Sequence, residues 1–330
     1  MNVLERLGVN SDNILVYEST YYSLFLYLLC DDNWQQRDFL IFADRISFDT
    51  ITRIKKYANV LDETYRFIPR PMPKFLKNPK YYISRKIEQK QLFDGYDFCI
   101  GDARQINNWL IDIKRIQIED GTLTRHELVF GDKKRGLFEY LCLKEPNKVK
   151  RIDKFVIAAE IEPHVDFKGK VETIDFFALW RNKSLQDKAE ILDIFNVDAD
   201  LFSGINRDFS VLFTQPFSET TKGYKEADKV DGYRELVTGL GIEEAKLVIK
   251  PHPKEVTDYS LHFPLARVLK PSFPSELMPI LNVHLDKVVS LSSTAGSCFK
   301  GFCNEIIYAK APEYFKMPKK LRDSINKLEL

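Results

Sequence analysis

The sequence predicts an α/β protein with two domains, each built on a doubly wound parallel sheet. Strand-like apolar runs alternate with helical patterns through both halves of the chain, and a charged, turn-rich stretch at residues 132–153 interrupts the alternation. The length of 330 residues is also more than one hydrophobic core usually organises. We therefore place one Rossmann-like domain at residues 1–150, a second at 151–312, and a basic amphipathic helix at 313–330.

In the first half, helices are expected where apolar residues recur at helical spacing, at Tyr21–Leu29, 51–58 and Tyr81–Leu92. The first of these, YYSLFLYLL, is half the length that crosses a bilayer, so it is interpreted as a core helix. Runs rich in aliphatic and aromatic residues predict the strands. They are Asn13–Tyr17, Asp38–Ala43, Tyr65–Pro69, Asp97–Gly101 and Lys114–Ile118.

The same alternation starts again after the charged stretch. Helices are expected near Ser184–Phe195, around Gly232–Leu240 and through Phe299. Strands are predicted at Phe155–Ala159, Lys170–Ile174, Phe209–Phe213, Lys246–Lys250 and Val288–Leu291. Two Rossmann-like halves of this kind are expected to face each other across a cleft.

The composition is that of a globular protein, with 44% hydrophobic and 29% charged residues. A net charge of +1 gives no global reason to expect a nucleic-acid partner. The amino terminus shows no signal-peptide pattern, and the cysteines lack zinc-ligand spacing, so we expect reduced thiols in a cytoplasmic protein. The five cysteines are Cys30, Cys99, Cys142, Cys298 and Cys303.

The C-terminal segment Tyr314–Leu330 alternates basic and apolar residues. Such a helix either lies on an anionic membrane face, at the inner side of the plasma membrane, or packs its apolar side on the body of the protein. The sequence leaves both interpretations open.

The first candidate site is the run Lys250-Pro251-His252-Pro253, where a buried strand breaks into a loop. Two prolines restrict the backbone beside His252, and the carboxyl ends of parallel strands are where ligands bind in open α/β sheets. A rigidly presented imidazole close to lysines suits an anionic leaving group such as a phosphate.

A second candidate is Glu119-Asp120-Gly121, directly after a predicted strand. Gly121 permits a tight turn, and two adjacent carboxylates disfavour each other's ionisation, which would raise the pKa of one of them. A carboxylate of this kind can act as general base towards a hydroxyl group. An ordinary Asp-Gly turn is the structural alternative.

Three further positions follow strand-like or loop segments in the second half. Thr214, Gln215 and Glu219 could line a site with hydrogen-bonding groups, or form a plain turn. Hydroxyls and backbone N–H groups in the run from Ser292 and Ser293 to Thr294 suit a phosphate at a helix start. Glu276, at the start of a predicted helix, can accept the two hydroxyls of a ribose or simply favour the helix dipole.

The order of these motifs resembles the bacterial sialyltransferases of lipooligosaccharide and capsule biosynthesis. The acidic-acidic-Gly triplet, His-Pro after a strand, a Glu-Leu segment and a Ser-Ser pair carry the resemblance, which extends from about Asn13 to Phe302. The Thr-Gln-Pro run is most similar to the lipooligosaccharide sialyltransferase branch. The resemblance implies a GT-B glycosyltransferase that uses CMP-sialic acid, inverts the anomeric centre and needs no metal or other cofactor.

The resemblance also implies residue roles. Asp120 would be the general base, and His252 would contact the phosphate of CMP as general acid or electrostatic stabiliser. Ser292 and Ser293 would bind that phosphate, and Glu276 the ribose. The branch also allows a base in the second half, for which Glu219 and Asp231 are the candidates. The implied acceptor is a terminal galactose of a surface oligosaccharide, with α-2,3 linkage, and a homodimer is an assembly the family allows.

Two alternatives remain at this stage. Asp198-Ala199-Asp200 matches the DxD motif of metal-dependent glycosyltransferases, and a related enzyme with a UDP-hexose donor could share the fold. A protein that binds glycans or nucleotides without turnover is the alternative from another class.

Overall fold

The computed structural model describes residues 3–66, 79–106, 108, 110–131, 151–291, 294–310 and 315–326. The chain divides into two compact units, Met1–Asn196 and Val197–Leu330. Each is an α/β unit around a parallel sheet, so the predicted fold class is confirmed. Among the described helices, none is both long and apolar enough to cross a membrane.

In the described part of the first unit, seven parallel strands form a sheet in the order β3-β2-β1-β4-β5-β6-β7. They are β1 Ile14–Glu18, β2 Asp38–Ile41, β3 Asn59–Val60, β4 Phe98–Gly101, β5 Lys114–Ile118, β6 Lys154–Ile157 and β7 Val171–Thr173. Its helices are α1 Val3–Arg6, α2 Tyr21–Cys30, α3 Phe48–Ile54, α4 Pro79–Phe93, α5 Thr122–Phe130, α6 Phe176–Asn182 and α7 Leu185–Ile194. β1 is buried along its whole length, as expected for a parallel strand covered on both faces.

Among the described residues of the second unit, five parallel strands form a sheet in the order β10-β9-β8-β11-β12. They are β8 Ser210–Phe213, β9 Leu247–Lys250, β10 Arg267–Val268, β11 Leu285–Ser290 and β12 Cys303–Tyr308. Its helices are α8 Phe217–Thr220, α9 Glu226–Gly239, α10 Leu277–Ile280 and α11 Lys319–Asn326. Phe213 pairs with Lys250 on one side and with Ser290 on the other, so three strand ends lie level at one edge.

Several helices begin directly after a residue whose side chain caps the first turn, and whose own backbone is extended. Thr20, Ser47, Asp175 and Ser184 each accept the backbone N–H three residues further on. These bonds satisfy N–H groups that the first helical turn leaves unpaired. The polar residue before each apolar run therefore fixes where the helix starts.

The predicted boundary at residue 150 differs from the structure. β6 pairs with β5, and β7 with β6, so residues 151–173 complete the first sheet. Helices α6 and α7 also belong to the first unit: Lys183 donates to the Asp31 carbonyl, and Arg53 pairs with Asp193. The first unit therefore extends to Asn196.

Other local differences concern short segments. The strand predicted at Tyr65–Pro69 is not found at Tyr65 and Arg66, which have no regular structure, and its residues 67–69 lie outside the described ones. The strand β3 forms at Asn59–Val60 instead. The segment Thr294–Phe299, expected as an α-helix, is a 3-10 helix, and β10 and β12 were not predicted. The linker predicted at 132–153 lies mostly outside the described residues.

The C-terminal helix packs its apolar side on the second unit. Phe315, Met317 and Ile325 are buried in its core, and Leu321 is packed against it. The exposed Lys316 and Lys319 lie outside this core. In the described part of this segment, the apolar side chains are thus covered by the protein, as in the packed alternative.

Candidate active site

His252 lies in a tight turn directly after β9. The backbone N–H of Glu255 donates to the His252 carbonyl at 2.9 Å, and the backbone N–H of Lys254 donates to Nδ1 of the His252 ring at 3.1 Å. Because Nδ1 accepts this bond, the neutral ring carries its proton on Nε2. The pKa of His252 is lowered to about 4, mainly by burial and also by the charges of Lys254 and Lys250. The side chain is therefore a neutral donor through Nε2–H, while Pro253 beside it is exposed.

Lys250 ends β9 and is buried at this edge of the sheet. Its Nζ donates to the Pro271 carbonyl at 3.1 Å and to the Pro251 carbonyl at 3.4 Å. Burial lowers the pKa of Lys250 to about 7, and the charges of Glu276 and Glu255 act in the opposite direction. A lysine with this pKa is protonated when an anion is bound beside it and is partly deprotonated when the site is empty.

Glu276 is buried immediately before α10. The Ser275 hydroxyl donates to Oε2 of Glu276 at 3.2 Å. The charge of Glu276 raises the pKa of Lys250 and that of the Cys298 thiol. The pKa of Cys298 is well above its usual range, mainly because the thiol is buried. The loop before α10 and the 3-10 helix after β11 therefore come together beside Lys250. Glu276 makes no side-chain cap of α10, so capping does not account for a carboxylate here.

Of the expected phosphate-binding run, Ser292 and Ser293 lie outside the described residues. Thr294 begins the 3-10 helix that follows β11. Gly296 packs closely on Val288 and Ile306, and an added Cβ would lie 3.4 Å from each. β11, the strand before this run, lies beside β8 at the point where the strand order reverses, which is the usual ligand position in such sheets.

Glu219 is part of a buried ionic network rather than a free carboxylate. Both of its oxygens accept from Lys229 Nζ, at 2.9 and 3.0 Å, and Oε1 also accepts the backbone N–H of Val256 at 3.2 Å. The pKa of Glu219 is lowered overall: burial would raise it, but the bonds from Lys229, Ser218 and Val256 outweigh that effect. These bonds make it a weak general base.

The other candidates from the second half contact different partners. The hydroxyl of Thr214 donates to Glu255, and the backbone N–H of Gln215 donates to the Tyr233 hydroxyl at 2.8 Å. Asp231 lies on α9 with its side chain 53% exposed, paired with Arg234 at 3.0 Å. The structure does not bring Asp231 to the strand ends of its unit.

In the first unit, Glu119 and Asp120 follow β5, and Gly121 has a left-handed φ of 123°. Glu119 is fully buried, pairs with Arg125 and accepts the Ala158 N–H at 2.8 Å; burial raises its pKa. Asp120 pairs with Arg104 and accepts the Thr124 hydroxyl. Of the two carboxylates, Asp120 is the more accessible, with its side chain 10% exposed.

Two acidic residues that the sequence reasoning missed lie beside Asp120. Glu18 ends β1 and Asp102 follows β4, the two strands at which the order of the first sheet reverses. Both are fully buried, and burial, together with the charge of Asp120, raises the pKa of Asp102 to about 7. Ser19 and Gln117 donate to Asp102. An acidic residue at the end of an apolar run was the available signal.

The DxD match is explained by local structure. Oδ1 of Asp198 accepts the backbone N–H groups of Asp200 and Leu201, at 3.1 and 2.8 Å, and caps a 3-10 helix. In the described part of the chain, His, Cys, Asp and Glu residues form no group of three that could hold a metal ion. Of the cysteines, Cys30 and Cys99 are buried free thiols, Cys298 and Cys303 are partly buried ones, and Cys142 lies outside the described residues.

Comparison with known proteins gives agreement in sequence and in fold. The model of glycosyltransferase family 52 matches residues 105–309. A Haemophilus influenzae protein described as uncharacterized is 32% identical over 219 residues, covering 65% of this chain and 68% of that protein.

Two solved structures share the fold at low sequence identity. A sialyltransferase from Photobacterium damselae, represented by its GT-B domain, is 12% identical with a TM-score of 0.55, over 95% of this chain and 94% of that one. An α/β-galactoside α-2,3-sialyltransferase from Photobacterium phosphoreum is 11% identical with a TM-score of 0.52, over 91% of each chain. The predicted GT-B class is thereby confirmed.

Proposed function

Because this chain belongs to glycosyltransferase family 52, the family that its motifs resemble, we propose that it is an inverting sialyltransferase. The donor is CMP-sialic acid, and the acceptor is a terminal galactose of a bacterial surface oligosaccharide such as lipooligosaccharide or capsule. We propose an α-2,3 linkage for the product. Membership of the family makes the chain a glycosyltransferase, and the choice of donor, acceptor and linkage is the proposal.

The observation that carries the donor assignment is the neutral His252 beside Lys250. When the bond between the sugar C2 and the phosphate oxygen breaks, negative charge grows on the CMP phosphate. A proton on Nε2 of His252 can donate a hydrogen bond to that phosphate, and donors aimed at a developing anion contribute roughly 10²–10³ in rate. With a pKa of about 4, His252 acts through this hydrogen bond rather than as a general acid.

Lys250, Glu276 and the run from Ser292 to Thr294 supply the rest of the proposed CMP site. Lys250 adds positive charge at the end of β9, and Glu276 can accept the ribose hydroxyls. With the departing charge held by these groups, the reaction needs no metal ion. The UDP-hexose alternative would be expected to show metal dependence.

We assign the general base to Asp120. The acceptor hydroxyl attacks C2 from the face opposite the phosphate, and its proton passes to a carboxylate, which contributes about 10²–10⁴ in rate. Asp120 is the base that the resemblance implies, and it lies at a strand end, where it pairs with Arg104 and accepts the Thr124 hydroxyl. The lowered pKa of Glu219 argues against it as the base, and the exposed ion pair with Arg234 argues against Asp231.

The test is CMP release from CMP-sialic acid by the purified protein, with lactose as acceptor and EDTA present. We expect release that depends on lactose, with sialyllactose as product, and His252→Ala should lower the rate by roughly 10²-fold or more. A linkage-specific sialidase then identifies the bond formed. Turnover only with UDP-sugars and manganese would replace the donor assignment, and binding without turnover of any donor would favour a binding protein.

A further inference from the structure

The carboxylate of Glu255 accepts hydrogen bonds from four donors among the described residues. Oε2 accepts the backbone N–H of His252 at 2.8 Å and the hydroxyl of Thr214, at the end of β8. Oε1 accepts Nζ of Lys229 at 3.1 Å and the hydroxyl of Tyr259 at 2.7 Å. The side chains of Glu255 and Lys229 are both fully buried. A buried carboxylate satisfied on both oxygens is held in one orientation.

The position of Glu255 in the chain gives these bonds a specific effect on His252. Its own N–H closes the turn onto the His252 carbonyl, while its side chain returns to bind the His252 N–H. The main chain of His252 is thus fixed on both sides of its Cα. Lys254, within the same turn, fixes the ring through Nδ1. Glu255 therefore connects the imidazole to β8 and α9.

We propose that Glu255 is the positioning residue that directs Nε2–H of His252 towards the donor phosphate, an inference that rests on the proposed function. Glu255 acts through His252 and does not touch the substrate. Loss of its carboxylate leaves the turn free to move relative to β8. A displacement of about 1 Å at a reacting group can cost roughly 10²-fold in rate.

The first experiment is a double-mutant cycle on CMP release. In Glu255→Gln the amide nitrogen replaces one acceptor oxygen and faces two donors, so two of the four bonds are lost. We therefore expect kcat to fall by roughly 10–100-fold, with little change in KM for CMP-sialic acid. In a His252→Ala background the same substitution should have no further effect on kcat, because the group it positions is absent. Additive losses would overturn the proposal.

The second experiment needs no activity and therefore separates this proposal from the proposed function. Nitrogen-15 NMR of the imidazoles, with His252 assigned from the His252→Ala spectrum, reports its tautomer and its pKa. The charged groups that act on the ring are Lys254, Lys250 and Glu219. In the unaltered protein we expect the proton on Nε2 and a pKa near 4. In Glu255→Gln we expect a mixture of tautomers and a pKa closer to the value of about 6.5 for a solvated imidazole.

Two further variants keep the test decisive. Glu255→Asp serves as the test if Glu255→Gln does not fold. It retains the charge beside Lys229 but withdraws the carboxylate by one methylene, so it should change the tautomer and the pKa of His252 in the same direction. Tyr259→Phe removes one donor from Oε1 and leaves the Oε2 bonds intact; it should lower Tm without changing the His252 tautomer. An unchanged His252 signature in both Glu255 variants, or an equal change in Tyr259→Phe, would overturn the proposal. If the unaltered protein releases no CMP, the proposed function fails and the NMR result still decides the role of Glu255.

Discussion

The ammonium group of Lys250 lies 4.4 Å from the centroid of the Phe273 ring and donates to the carbonyl of Pro271. Both contacts come from one loop, which leads into α10 and Glu276. The lysine therefore joins the end of β9 to the segment proposed to hold the ribose. Its lowered pKa, caused by burial, would make the proposed binding of the nucleotide depend on pH.

We predict that affinity for CMP weakens as the pH rises above 7. Lys250, with a pKa of about 7 in the free protein, loses its proton in this range, while a bound phosphate favours the ammonium form and raises that pKa. The CMP phosphate, with a second pKa of about 6, is already doubly ionised there. Between the free and bound pKa values, Kd should rise by up to about tenfold per pH unit, which calorimetry at pH 7–9 can measure.

The matched variants for this prediction are Lys250→Met and Lys246→Met. Lys250→Met should bind CMP more weakly at pH 7 and lose the pH dependence. Lys246 lies before β9, at the opposite end of the strand, with its side chain 43% exposed, so its substitution should preserve the dependence. Equal pH dependence in all three proteins would show that Lys250 does not bind the phosphate.

Asp102→Asn should stabilise the first unit increasingly as the pH rises. The folded-state pKa of Asp102, about 7, exceeds its ordinary value of 3.8, so the folded state binds more protons between these values and stability is lost as the pH rises through them. Asparagine has no charge to bury. The free energy of unfolding of Asp102→Asn should exceed that of the unaltered protein by an amount that grows from pH 4 to pH 7. The excess should reach at most about 4 kcal/mol, as a shift of roughly three pKa units would give. Urea unfolding at several pH values measures it, with the exposed Asp112→Asn as a control expected to show no such trend.

Substitution of the three candidate bases should locate the proton acceptor. Asp120→Asn should lower kcat for transfer to lactose by about 10²–10⁴, because the amide cannot take the acceptor proton. Asp231→Asn changes only an exposed ion pair, and Glu219→Gln weakens the Lys229 network and lowers Tm. If Asp120→Asn keeps its activity while either of the other variants loses catalysis at unchanged Tm, the base lies in the second unit.

Gly232→Ala should destabilise the second unit. An added Cβ at Gly232 would overlap the ring of Phe315, which is fully buried and packs edge-on against Tyr233. Overpacking of this kind costs about 1–3 kcal/mol. Gly239→Ala, on the same helix but in open space, should instead gain up to about 1 kcal/mol from helix propensity. Thermal unfolding of both variants measures the difference, and a stable Gly232→Ala protein would contradict the packing argument.

The sequence allowed the parallel-sheet architecture to be predicted because most of the buried strands are largely apolar runs. β1, β4, β5, β8 and β9 were all predicted close to their observed bounds. The two-residue strands β3 and β10 carry no such run, and their pairing depends on neighbours already in place. The domain boundary failed for a related reason, since a break in pattern at residue 132 resembles a linker although the chain returns to the same sheet.

The positions of His252 and Asp120 in the fold could be predicted, because each motif directly follows a strand. The residues that hold His252 could not, because Lys229 and Glu255 meet only when α9 packs on the loop that follows β9. A lysine within a helix of mixed polarity has the pattern of a solvated residue, and nothing local indicates that it is buried. Thr214 and Glu219 were selected as site residues, yet the structure shows both bonded within this network.

The extent of the first unit has a consequence for the order of events during synthesis. The ribosome must add 46 residues beyond position 150, up to Asn196, before the first unit has all its parts. At roughly 5–20 residues per second this takes about 2–9 s, and in the first part of that time, until residues 154–157 form β6, the five-residue strand β5 has no partner on one edge. An open strand of this kind is a site for pairing with other chains. The nascent protein is therefore exposed to aggregation while β5 is open, and slower translation of residues 151–157 would lengthen that time.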